Sequence, residues 1–89
     1  MLTEERKQSI LERVGGLLRQ IDAEVQLHDA LLDSTRQQLV IVMQRNDMPV
    51  LVGMSYIDYA SHRDEELARL LKERLAQRIE AARRREAED

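Results

Sequence analysis

Between Gln38 and Gln44 every side chain is apolar, in the run QLVIVMQ. The run is rich in β-branched residues and too short to be a helix of its own, so it reads as a strand. Side chains alternate across a strand. Leu39, Ile41 and Met43 therefore share one face, and Val40 and Val42 share the other. A strand that is apolar on both sides needs cover on both sides, and this demand constrains the fold more than any other feature.

A second strand follows at Val50–Asp58, VLVGMSYID. Here Val50, Val52, Met54 and Tyr56 alternate with Leu51, Gly53, Ser55 and Ile57. The intervening Asn46-Asp47-Met48-Pro49 is turn-type sequence, and Pro49 suits the first position of a strand. The two strands, about 38–44 and 50–58, are expected to pair as an antiparallel hairpin.

Helical periodicity flanks the hairpin. Thr3 followed by Glu4 and Glu5 is a helix start, with an N-cap hydroxyl and acids at the positive end of the dipole. Leu11, Val14, Leu18, Ile21, Val25, His28 and Leu32 then recur at steps of three and four. This coiled-coil-like seam predicts one helix over about 4–32, roughly 43 Å long at 1.5 Å per residue. Gly15-Gly16 weakens it by about 2 kcal/mol relative to alanine, but the apolar phase is the same on both sides, so the helix is expected to continue. After the hairpin, Leu67, Leu70, Leu71, Leu75, Ile79 and Ala82 predict a second helix over about 64–84. Glu65–Arg69 and Glu80–Arg84 are spaced as i,i+4 pairs on it, and a frayed tail over 85–89 is expected.

The expected architecture is α+β, a single domain over 1–89 with the order helix, strand, strand, helix. A chain of 89 residues buries only about 60–65% of its unfolded surface. There is no Phe, Trp or Cys, so neither large rings beyond Tyr56 and Tyr59 nor disulfides enlarge the core. Two helices of one chain cover one sheet face, and the other face calls for a second copy. A homodimer is therefore expected, with a joined sheet or paired helices, and with Leu11, Val14, Leu18, Ile21, Val25, His28, Leu32, Val40 and Val42 as the candidate interface.

The sequence carries little catalytic chemistry. Three scattered glycines form no phosphate-binding loop, and no nucleophile-elbow motif surrounds Ser34, Ser55 or Ser61. His28 sits on the seam, where it would be a pH-sensitive interface group or simply a polar end to an apolar stripe. His62, with Asp58 and Asp64 nearby in sequence, has a spacing too common to mark a metal site. No enzyme, cofactor or metal is expected. The longest apolar run is far short of the ~20 residues that span a bilayer, and the N-terminus lacks the apolar region of a signal peptide. A cytoplasmic protein with no membrane partner is expected.

Charge is high and nearly balanced, with 14 Lys and Arg against 17 Asp and Glu, net −3. Many of the cations nevertheless lie on the two helices. Arg6, Lys7, Arg13, Arg74, Arg78, Arg83, Arg84 and Arg85 are candidate phosphate contacts. The alternative is that they pair with interleaved glutamates and keep the surface solvated.

Three segments carry a family resemblance: the β-rich QQLVIVMQRND, then Tyr56-Ile57-Asp58, then the helix DEELARLLKERLAQRIEAARR. Over roughly residues 38–82 the chain resembles the YbaB-type nucleoid-associated proteins of bacteria. It departs from them in having Tyr59 where the family usually has proline, and in lacking the glycine that usually opens the first strand. The resemblance implies a nucleoid-associated dimer that binds duplex DNA with little sequence preference through arginines of its helix ends. The layout is also similar to that of prefoldin-β chaperone subunits, with shorter helices. It suits an alternative role as an adaptor or chaperone-like module that receives a partner segment on its sheet face or in a helix groove.

Overall fold

The computed structural model describes the backbone of residues 3–88 and the side chains of 3–85. Its elements are α1 (Glu4–Ile21), β1 (Val25–Asp33), β2 (Gln38–Arg45), β3 (Met48–Ser55), α2 (Tyr56–Ser61) and α3 (Asp64–Glu88). The fold is α+β. The three strands form one antiparallel sheet in the order β1-β2-β3.

α1 starts as its sequence suggests. The Thr3 hydroxyl accepts a hydrogen bond from the Arg6 amide at 3.2 Å, and the helix runs unbroken through Gly15 and Gly16. It stops at Ile21, however, eleven residues short of the expected end. Asp22 is extended, and its carboxylate accepts from the Glu24 amide at 3.0 Å. This local turn competes with the helical backbone and directs the chain into β1.

Residues 25–33 are thus a strand, not the second half of a long helix. The reason the helical reading fails is a β-bulge. Leu27 pairs with Met43 and Asp29 with Val42, so His28 is the extra residue. A bulge shifts the side-chain alternation by one. Val25 and Leu27 share a face at a step of two, and Ala30 and Leu32 resume on that face after a step of three. The shifted alternation makes Val25, His28 and Leu32 fall at steps of three and four, which mimics a helix.

Asp33 closes β1. Its carboxylate accepts from the Thr35 and Arg36 amides at 3.1 and 3.3 Å. Gln37, at φ 53°, completes the loop. The β2–β3 turn is tighter than the expected four-residue loop. Arg45 pairs directly with Met48, leaving Asn46 and Asp47 as a two-residue turn. Asn46 has φ 56°, a left-handed first position that matches strand twist. At its far end β3 stops at Ser55, and Tyr56–Ser61 is a short helix where the strand was expected to reach Asp58. The Ser55 hydroxyl caps that helix by accepting from the Ile57 amide at 3.2 Å. α3 continues to Glu88, past the expected end at residue 84. Asp89 lies outside the described residues.

The core lies on one side of the sheet. Leu39, Ile41 and Met43 from β2, and Val50, Val52 and Met54 from β3, face Ile10, Val14, Leu17 and Leu18 of α1 and Leu67, Leu71 and Leu75 of α3. α1 packs on β1, α3 packs on β3, and the two helices touch. The faces read from β2 and from the last helix are therefore the faces observed.

Candidate functional site

Both long helices cover the same side of the sheet, so its other side stays open. Pairing places Leu31, Val40 and Gly53 in one row across that side, and Val42 and Leu51 in the next. Leu31 is 50% exposed and Leu51 52%, while Val40 and Val42 are half-buried by their neighbours alone. Asp29, in register with Val42, and Asp33, in register with Gln38, put carboxylates at the rim of the patch beside uncharged side chains. One of them, Gln44, meets the His28 ring across the strands at 3.0 Å. The open face is therefore an apolar strip along which no lysine or arginine stands.

The expected interface seam does not survive as a unit. Val14 and Leu18 are fully buried within their own chain, and Leu11, Ile21 and Val25 pack against that same core. Leu32 is half-buried on the core side of β1, opposite Leu39. Of the nine candidate interface residues, Val40 and Val42 lie on the open face and His28 lies exposed beside it. Leu31 and Leu51, the most exposed apolar residues of this face, are not among those nine. The sequence signal for Leu51 was present in the alternation of β3. The signal for Leu31 was hidden by the bulge.

Half of the eight candidate phosphate contacts have other partners. Arg13 donates from Nε to the Asp64 carboxylate at 2.8 Å, and from its two terminal nitrogens to the Tyr59 carbonyl at 3.0 Å and the His62 carbonyl at 2.7 Å. Its guanidinium also lies 4.9 Å from the centre of the Tyr59 ring. The carbonyls near the end of a helix lack intrahelical partners, so Arg13 ties α1 to the exit of α2. Burial pushes the Tyr59 hydroxyl above the ordinary tyrosine range, and Arg13 beside it opposes that shift.

Lys7 pairs with Asp29 at 2.8 Å, across the bulged edge of the sheet. Arg84 pairs with Glu80 at 3.4 Å. Arg45, at the β2–β3 turn, bonds Asp22 at 2.9 Å and Glu24 at 3.0 Å, which anchors the α1–β1 corner. The Arg45 hydrogen bond, helped by the Glu24 amide, holds the Asp22 carboxyl below the usual carboxylate range. Lys7 and the Ala30 amide do the same for Asp29.

The remaining four are Arg6, Arg78, Arg83 and Arg85, all exposed and in no ion pair among the described residues. Arg74 is different again. It donates to the Gly53 carbonyl at 3.1 Å on the free edge of β3, and its Nε is buried without a partner. Arg74 and Arg78 line a cleft of about 200 Å³ beside Val52 and Gly53. Arg78 and Arg85 line a second of about 200 Å³ beside Pro49, Val50 and Leu51. A larger groove of about 610 Å³ runs between α1 and β1, over Gly15 and Gly16.

Among the described residues, no three His, Asp or Glu side chains gather as metal ligands. No described helix is long and apolar enough to cross a membrane. Set against known proteins, the chain matches no protein-family model, no curated protein and no solved structure.

Proposed function

We propose that this chain is a non-enzymatic protein-binding module that works as a homodimer, with the two copies packed through their open sheet faces. The observation that carries the reading is the one-sided placement of α1 and α3, which leaves Leu31, Val40, Val42 and Leu51 as one uncovered strip. Large apolar strips on a small protein mark interaction sites. Two copies of this face suit each other because each is apolar in the middle. Sheets pack face to face about 10 Å apart, and such packing leaves the helices and strand edges free for a client.

Sedimentation equilibrium tests it. The wild-type chain is expected to be a dimer at micromolar concentration, and the Leu31→Glu/Leu51→Glu variant a folded monomer with an unchanged circular dichroism spectrum. A wild-type monomer at high micromolar concentration refutes the reading.

A second reading, duplex DNA binding by the dimer, draws on the exposed Arg6, Arg78, Arg83 and Arg85 and follows the resemblance to nucleoid-associated proteins. It predicts affinity that falls steeply with salt and drops on Arg83→Ala/Arg85→Ala. The adaptor reading is favoured because Lys7, Arg13 and Arg84 are held by carboxylates and the chain is net acidic.

A further inference from the structure

β3 is an edge strand, and the Arg74 bond shows which of its groups face outward. The Gly53 carbonyl points at α3 and away from β2. Backbone groups alternate sides along an antiparallel strand, so those of Leu51 and Pro49 point the same way. Continuation of the ladder on the other parity agrees, since the Tyr56 amide donates to the Gln37 carbonyl at 2.9 Å. Pro49, which has no N–H, stands where none is needed for pairing with β2. The free edge from Pro49 to Gly53 therefore offers the Leu51 and Gly53 amides and the Pro49 and Leu51 carbonyls to a further strand.

This edge is one wall of the two adjoining clefts, and the flank of α3 is the other. The clefts share Arg78 and Ala81, so together they make a single groove. Among the described residues, no carboxylate lines it. Arg78 and Arg85 are in no ion pair among the described residues, and the Arg74 Nε is buried without an acceptor. In a chain of net charge −3, three guanidinium groups along one strand edge with no carboxylate partner among the described residues are a local excess of positive charge.

We propose that the β3 edge is a docking groove for an extended, acidic polypeptide segment of another protein, which adds a fourth strand to the sheet and sets its carboxylates against Arg74, Arg78 and Arg85. The proposal rests on the reading of the chain as a protein-binding module and names its client. Strand addition supplies the backbone hydrogen bonds. Alternate residues of the added strand face the same side, so acids at every second position meet the α3 flank. A second copy of this chain is a poor occupant, because two-fold pairing of β3 edges would bring the arginines of both copies together. A phosphodiester backbone offers no N–H to the free β3 carbonyls.

The test uses the full chain with a capped peptide alternating glutamate and valine, and its lysine–valine counterpart as control. Binding is followed by fluorescence anisotropy and by amide shifts in ¹⁵N-labelled protein. The acidic peptide is expected to bind and to shift the Leu51 and Gly53 amides. Arg78→Glu/Arg85→Glu, at exposed sites outside the core, should weaken it by about tenfold or more, as for loss of charge-assisted contacts, and should gain the lysine peptide. N-methylation at alternate peptide bonds should abolish binding.

Four results overturn the proposal: no acidic-peptide binding at millimolar concentration, binding undiminished in the double variant, shifts centred on Val40 and Val42, or displacement of the peptide by short duplex DNA at the same arginines. Sedimentation of the same samples reads the dimer separately, so an intact dimer that ignores the peptide refutes the groove alone.

Discussion

Arg13 makes the sharpest test of how the helices are held. Its side chain is 26% exposed and spans three partners that sit 46–51 residues away in sequence. Truncation in Arg13→Ala leaves the Tyr59 and His62 carbonyls without their donor. At about 1 kcal/mol for each part-buried carbonyl the loss is about 2 kcal/mol, and stacking over Tyr59 adds about 0.5 kcal/mol. The Asp64 carboxylate is 69% exposed, so that ion pair contributes well under about 1 kcal/mol. The expected total is about 3 kcal/mol, about two thirds of it from the carbonyls. Arg13→Lys should lose about half, since one ammonium cannot reproduce the three-way fork.

Urea unfolding at fixed protein concentration, followed by circular dichroism, measures this. With a slope of about 1 kcal/mol/M, the midpoint of Arg13→Ala falls by about 2–3 M, while that of Asp64→Asn moves by less than about 1 M. If Asp64→Asn matches Arg13→Ala, the surface ion pair and not the carbonyl clamp holds α1 to the α2–α3 corner, and the reasoning fails. It also fails if Arg13→Ala leaves the midpoint in place.

Three further outcomes are expected. Gly16→Ala should stabilise the chain by about 0.5–1 kcal/mol, because a Cβ there meets nothing within 4 Å; a lower thermal midpoint refutes this. Ile41→Ala should destabilise by about 2–5 kcal/mol while Leu51→Ala changes monomer stability by under about 0.5 kcal/mol, since the first side chain is fully buried and the second faces outward. Equal losses in the monomeric background would show that the two sheet faces are not distinct. Acid should unfold the chain through Asp22 and Asp29. Both carboxyls are held low in the folded chain, so the stability they add is present above the unfolded value of about 4 and is lost as pH falls through the lower folded values. Asp22→Asn/Asp29→Asn should flatten that decline; an unchanged acid limb contradicts it.

The sequence made some of this legible and hid the rest for definite reasons. β2 and the faces of β2 and β3 follow from two-residue alternation, and the core face of α3 follows from its spaced leucines. β1 was hidden because one inserted residue, His28, converts its alternation into helical spacing. The Asx turn at Asp22 was the available signal, but an aspartate followed by Ala-Glu is also ordinary helix sequence. α2 was hidden because Tyr56 and Ile57 continue the strand pattern, and only the Ser55 hydroxyl marks the change. The roles of most arginines were not legible. Spacing correctly gave the pair Glu80–Arg84, but Arg13 with Asp64 and Arg45 with Asp22 depend on folds of the chain that bring distant residues together.

The extra strand also moves the place where the chain runs short of cover. A helix over 4–32 would have projected an apolar seam beyond the hairpin, and pairing of helices would have been the natural way to hide it. Because the chain turns at Asp22, α1 spans only 18 residues, about 27 Å at 1.5 Å per residue, and its apolar side is spent on its own sheet and on α3. The residues that would have extended the seam instead widen the sheet from two strands to three. Widening enlarges both faces, but the helices serve only one of them. The shortage foreseen from the chain's size and apolar content is therefore displaced from the helices to Leu31, Val40, Val42 and Leu51. For that reason self-association of this chain is expected through its sheet and not through a coiled coil.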